Sequence, residues 1–269
     1  MKSSSLDQET IAAFGSEGSV QSLAGGEGNS VRVGKCVLKP IENEGRYSWA
    51  CDLLLRLNPK DHRICRPLRA KTGSFVFNGW GASAYEPGDP FNGRWDEKLQ
   101  VCRSFHAILN QLNYSSMPHS SDRWTKAHEI TWQFESLPNS VEKQIAETIE
   151  ALFVHYLPMQ RSEGVLHSDI CGNILFDAGN QPCVIDFSPA YGPAKYAEAI
   201  LVADAIAWEG APLEIVRLLP YSDEYRQLLL RAINFRLIVT ALFWPKNVER
   251  FFSEFREFEA ITNFVVKDG

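Results

Sequence analysis

The hydrophobic period of the chain changes near residue 88, and that change predicts two kinds of structure. Over residues 19–39 the apolar positions fall in short runs separated by glycine: 19–23, a turn at 24–29, then 30–33, a Gly34-Lys35 turn, and 36–39. This pattern predicts a three-strand meander. Residues 44–57 shift to a helical period, with Trp49, Leu53 and Leu57 on one stripe and Pro59 closing the segment. Two further strands are predicted at 64–70 and 74–80, followed by a turn-forming Pro87-Gly88. Beyond it the helical period dominates, over 95–112, 140–156, 193–208, 223–243 and 248–264. The polar, tryptophan-containing stretch 115–138 fits neither period. The expected fold is α+β, with a β-rich lobe carrying one helix over residues 1–86 and a helical lobe over 87–269.

One β-like interruption breaks the helical half. Two short apolar strands, 174–176 and 183–185, are joined by Asp177-Ala178-Gly179-Asn180, which predicts a hairpin. Asp169 and Asn173 precede the first strand and Asp186 follows the second, so the pairing predicts that all three groups share one end. Asn173 and Asp186 offer oxygen without sulfur or imidazole, which suits a hard cation such as magnesium, and magnesium usually arrives with phosphates. Asp169 is then placed to orient or deprotonate a hydroxyl, and His167 to brace the loop through hydrogen bonds. The first lobe offers a complement. Its Gly25-Gly26-Glu27-Gly28 turn would let backbone amides approach phosphate oxygens, and Lys39 adds a positive point charge.

Together, His167-Ser-Asp169-Ile-Cys-Gly-Asn173-Ile-Leu and Val184-Ile-Asp186-Phe resemble the paired catalytic-loop and metal-loop motifs of aminoglycoside phosphotransferases and choline kinases. These are small-molecule relatives of the protein kinases. Val37-Leu-Lys39 is similar to the kinase third-strand motif, residues 26–33 to a degraded glycine loop, and Phe105-His106 to the family's Leu-His pair. The resemblance runs over about residues 19–208, with the pieces in the family's order. It implies a two-lobed protein-kinase-like fold and an ATP- and magnesium-dependent phosphotransferase acting on a small-molecule hydroxyl. Residue by residue it implies that Asp169 is catalytic with His167 beside it, and that Asn173 and Asp186 bind magnesium. Lys39, with Gly26 and Gly28, would hold the ATP phosphates, and Glu44 would be the helix carboxylate paired with Lys39. Val33 and Val37 would cover the adenine, and the backbone of residues 84–88, including Tyr85 and Glu86, would form the hinge against its edge. Asp204 would anchor the catalytic loop. Asp169 and Asn173 are four positions apart, one fewer than the family's usual spacing.

Composition narrows the picture without changing it. The 269 residues are 45% hydrophobic and 22% charged, ordinary for a globular chain. A net charge of -6 disfavours a general grip on nucleic acid or an anionic membrane, and is compatible with a cationic acceptor met by Asp223, Glu224, Glu254 or Glu257. None of the six cysteines forms a C-x-x-C pair or sits at zinc-ligand spacing with a histidine. With no apolar run long enough for a signal peptide or a membrane span, reduced thiols and a cytoplasmic location are expected. His106 reads as a structural histidine, and the aromatic run 251–258 as a helix packing face. Three other readings remain: a kinase-like nucleotide-binding protein that works through a partner, nucleotidyl transfer, and a Cys171–His167 nucleophile. The acceptor itself is not legible.

Overall fold

The computed structural model describes residues 6–23, 29–162 and 164–267. They form two compact units. The first contains the chain up to Asp89 and two later passages, Gln111–Ser120 and Leu175–Asp186. The second contains Pro90–Asn110, Ser121–Ile174 and the chain from Phe187 onward. The division therefore passes between Ile174 and Leu175 and again between Asp186 and Phe187, inside the hairpin region.

The first unit opens with a short helix α1 (Gln8–Ala13), capped by the Asp7 carboxylate, that the sequence pattern did not predict. The meander is present as β1 (Val20–Ser22), β2 (Val31–Val33) and β3 (Cys36–Pro40), antiparallel throughout. Helix α2 (Glu44–Arg56) follows, with the Asn43 side chain accepting from the Arg46 amide at its N-terminus. The predicted strand at 64–70 is two pieces, β4 (Arg63–Ile64) and β5 (Pro67–Leu68), which join different sheets. The predicted strand at 74–80 contains a tight turn: β6 (Val76–Phe77) reverses through Asn78 at φ 49° and Gly79 at φ 76° into β7 (Trp80–Ala84). Positive φ at both turn residues is the geometry that matches strand twist in a two-residue hairpin.

The sheet order is β1-β2-β3-β7-β5, with β6 also paired to β7. Period-two alternation gives it two unlike faces. Val33, Cys36, Leu38 and Ala82 point to one side, where they pack with Ile11, Phe14, Ala70 and Trp80 in an apolar core. Each such large side chain contributes about 1.5–3 kcal/mol by burial. Arg32, Val37 and Ser83 are paired across the strands on the other face, which also carries Lys39 opposite Gly81. On that face Tyr47 of α2 lies against Gly81, where an added Cβ would come within 2.5 Å of its ring. Residues 111–120 are tied to α2 by Trp49 Nε1 to the Ser115 carbonyl, 3.1 Å, and Arg56 Nη2 to the Asn113 carbonyl, 2.6 Å.

The second unit is helical: α3 (Trp95–Leu109), α4 (Arg123–Thr131), α5 (Lys143–Phe153), α6 (Ala194–Trp208), α7 (Asp223–Phe243), α8 (Val248–Glu257) and α9 (Glu259–Lys267). Helix α4 lies in the stretch that fitted neither period, and the predicted helix 248–264 is broken at Phe258. Helices α6 and α7 are buried over most of their lengths. The alanines of α6 let neighbouring helices approach closely. Strands β8 (Val165–His167) and β11 (Pro189–Tyr191) pair antiparallel, with His167 opposite Pro189. A short 3₁₀ turn at Cys171–Asn173 leads into β9 (Ile174–Leu175), which pairs with β10 (Cys183–Val184), itself parallel to β4. No helix among the described residues is long and apolar enough to cross a membrane.

Candidate functional site

In the first unit Lys39 projects from β3 and forms an ion pair with Asp186, which follows β10. Both side chains remain solvent-accessible, at 35% and 46%. Asp186 has φ 46°, a left-handed conformation uncommon for a residue with a Cβ and costing on the order of 1 kcal/mol. The turn aims its carboxylate back at the strand that carries Lys39. The ammonium also lies 5.8 Å from the centre of the Tyr47 ring. Tyr47 is half-buried, and desolvation first of all holds its phenol protonated, far above the ordinary range.

Two sequence expectations change here and a third is narrowed. Glu44 is exposed in the first turn of α2, and the carboxylate that meets Lys39 is Asp186 instead; the helix presents Tyr47 to that face. Val33 is fully buried in the apolar core, so it cannot cover a base; register puts Arg32 opposite Val37. Arg32 stacks on Tyr85 at 3.6 Å. The Glu86 carboxylate is engaged by Arg63, leaving its backbone for any hinge contact. The Tyr85 N–H is spent on the Lys35 carbonyl and the Ala84 N–H on Arg66, both at 2.8 Å. Pro87 has no N–H, so within residues 84–88 the donors not spent in this way belong to Glu86 and Gly88. Gly26 and Gly28 lie outside the described residues.

In the second unit the loop after β8 is wired from several sides. His167 is fully buried; its backbone N–H donates to His106 Nε2 at 3.0 Å, and its Nδ1 accepts from the Asp169 amide at 3.2 Å and the Ser188 amide at 3.4 Å. These contacts brace the loop. His106 Nδ1 lies 2.6 Å from the Cys102 carbonyl, and burial lowers this imidazole to about 4, keeping it neutral. Asp169 itself is half-exposed. Its Oδ1 accepts from Arg236 Nη2 at 2.7 Å, and its Oδ2 from Asn173 Nδ2 at 3.1 Å. Asn173 Nδ2 also reaches the Asp169 carbonyl at 2.5 Å. The 3₁₀ turn accommodates the shortened spacing by folding Asn173 back over Asp169. The amide nitrogen is thus committed to the loop, and the chemistry left to this side chain is that of its oxygen.

Arg236, near the middle of α7, carries signals the sequence reading missed. It is 3% exposed and grips Asp204 with Nε at 2.9 Å and Nη2 at 2.5 Å. Burial lifts the Asp204 carboxyl to about 6 despite the arginine; burial would lower Arg236, but Asp204 and Asp169 outweigh it and hold it cationic. An arginine inside the largely apolar segment Ala232–Val239 was the available clue, since a buried charge requires a partner.

The oxygen donors Asn173 and Asp186 fit a hard cation. Each offers that donor type within its own unit, and among the described residues no group of three or more His, Cys, Asp or Glu could hold a metal ion. Cys171 is buried, its thiol raised well above the usual range by that burial, and the His167 Nδ1 is occupied by two amides. A Cys171–His167 nucleophile is incompatible with this geometry. All six cysteines are buried free thiols.

No protein-family model and no curated protein matches the sequence. Solved structures do match. A thermostable mutant of aminoglycoside phosphotransferase APH(4)-Ia, in ternary complex with AMP-PNP and hygromycin B, aligns at TM-score 0.66 and 16% identity over 97% of this chain and 98% of its own. Spectinomycin phosphotransferase APH(9)-Ia, with ADP and spectinomycin, aligns at TM-score 0.56 and 16% identity over 94% and 92%. Choline kinase LicA from Streptococcus pneumoniae aligns at TM-score 0.58 and 12% identity over 94% and 97%. The chain has the fold of these small-molecule kinases. The kinase-like fold expected from the loop motifs is therefore present along nearly the whole chain, including the C-terminal helices that the motifs did not reach.

Proposed function

We propose that the protein is a phosphotransferase that moves the γ-phosphoryl group of ATP to a hydroxyl of a small molecule. The observation that carries this reading is Asp169, a carboxylate open to solvent with one oxygen fixed by Arg236 and the other by Asn173. Such a group orients a hydroxyl well. The acceptor oxygen attacks the γ-phosphorus, the bond from phosphorus to the ADP oxygen breaks, and the hydroxyl proton passes to Asp169 or to water. Because the transition state is loose, positioning and charge neutralisation matter more than basicity. Lys39 supplies positive charge to the nucleotide phosphates, and Val37, Tyr85 and the Glu86 backbone border the base. Asn173, through its oxygen, and Asp186 would each offer a donor to magnesium. Bound magnesium would neutralise charge on the phosphates. The structural relatives solved with ADP or AMP-PNP support a nucleotide, and those solved with spectinomycin or hygromycin B support an acceptor of that general size.

The test combines thermal shift with product mass. Magnesium-dependent stabilisation by ATP, together with one phosphoryl group added to a member of a panel of polyhydroxylated and cationic alcohols, is the expected result. Stabilisation without transfer would favour the nucleotide-binding reading. Addition of AMP would replace phosphoryl transfer by nucleotidyl transfer. Neither stabilisation nor transfer would end the nucleotide argument.

A further inference from the structure

We infer that Arg236 is a positioning residue for Asp169, and that Asp204 serves the reaction chiefly by holding Arg236. This inference rests on the phosphotransferase reading for its chemistry, although its geometry stands alone. A carboxylate on a loop tip ordinarily samples several rotamers, because χ1 and χ2 are opposed only by solvent. Asp169 is not in that situation. Arg236 Nη2 meets its Oδ1 at 2.7 Å and the Ser168 carbonyl at 3.4 Å, so one nitrogen fixes both the side chain and the backbone just before it. The same guanidinium is fixed in turn by two bonds to Asp204, at 2.9 and 2.5 Å. It also lies 5.0 Å from the Trp208 ring centre and 5.1 Å from that of Phe235, which limit its rotation.

The exposures fall in a gradient. The side chains of Arg236 and Asp204 are each 3% exposed, whereas that of Asp169 is 44% exposed. The rigid anchor is thus inside the helical unit, and only the working carboxylate reaches solvent. Asp204 alone could not do this, because two carboxylates repel and need a cation between them. Lysine could not replace the arginine either, since a single ammonium lacks the planar fork that engages two carboxylates in fixed directions.

The decisive experiment separates positioning from stability. Replacing the buried pair by apolar residues, Asp204→Leu with Arg236→Met, removes both buried charges together and is expected to keep the fold, as such exchanges often do. Its melting temperature is measured beside magnesium-dependent phosphate release from ATP, with water as acceptor. The expected result is a folded variant whose kcat is down at least about 30-fold with KM for ATP within about twofold, because Asp169 is loosened while the nucleotide determinants are untouched. Arg236→Lys, which keeps the charge, should show the same split in milder form. A stable double variant with wild-type kcat would overturn the inference. If the double variant does not fold, Arg236→Lys decides: equal kcat overturns, a lowered kcat at unchanged KM supports. If the wild-type protein releases no phosphate, the phosphotransferase reading fails separately, and crystal structures decide the positioning. An Asp169 carboxylate that shifts or splits into several conformers in Arg236→Lys supports it; an unmoved one overturns it.

Discussion

Lys39–Asp186 and Asp169–Arg236–Asp204 are both built from a basic residue and carboxylates, yet they sit in opposite surroundings. The first pair is over a third exposed on either side, in a unit whose core lies on the other face of the sheet. The second has an arginine and an aspartate at 3% exposure, embedded between the two most buried helices. Exposed charges can exchange a side-chain partner for a phosphate or a cation at little cost. Buried ones cannot, because separation leaves a charge without solvent. On the proposed phosphotransferase reading the contrast would divide the labour: charges that trade partners during turnover would face water, and the charge that holds still would be locked into the core.

Several measurements would break or sharpen this contrast. The largest effect is expected from Asp169→Ala, which should lower turnover by about 10² to 10⁴ while magnesium-dependent stabilisation by ATP persists; retained turnover would remove Asp169 from the site. Arg236→Met alone should cost about 3–5 kcal/mol of folding free energy in denaturant titration, because Asp204 is left buried without the cation that offsets its burial. A cost near zero would show that this pair is no more locked than the exposed one.

Acid should act on the buried side through His106. Burial lowers its pKa from the ordinary 6.5 to about 4, so its neutral form is the folded form. The associated stability is present above pH 6.5 and is lost as the pH falls towards 4, by up to about 3 kcal/mol. His106→Gln should flatten that part of the stability–pH curve. In the first unit, order comes from packing: Gly81→Ala should cost about 1–3 kcal/mol by pressing on Tyr47, and adding Tyr47→Leu should recover part of it in urea midpoints. The smallest effect is expected from Lys39→Met, under about 1 kcal/mol of stability, with stabilisation by ATP sharply reduced. A large loss of stability there would mean that the exposed pair is structural after all.

Much of this was written locally. The period of α2, α6 and α7, the Gly34-Lys35 turn and the Asp177–Asn180 connection each state their conformation within a few residues. Part of the loop chemistry is equally local, since the His167–Asp169 and Asp169–Asn173 contacts span two and four positions. The turn at Asn78-Gly79 was legible too, but the apolar residues around it read as one uninterrupted strand. Val33 and Glu44 illustrate what a local pattern leaves open. Alternation says that Val33 and Arg32 face opposite ways, but only pairing with β3 and the packing of α1 decide which way is inside. Helical period says where α2 runs, but its seating over Gly81 decides that Tyr47, and not Glu44, is presented to Lys39.

The sequence by itself determined most of the elements, the oxygen-donor chemistry and the kinase-like order of motifs, because those follow from backbone preferences and residue type over short spans. Tertiary structure alone decided the partners: Asp186 for Lys39 across 147 positions, and Arg236 for Asp169 across 67. No local propensity encodes such pairings. They arise when two distant segments are brought together by burial of apolar faces elsewhere, and the charges they carry must then find each other or remain unsolvated.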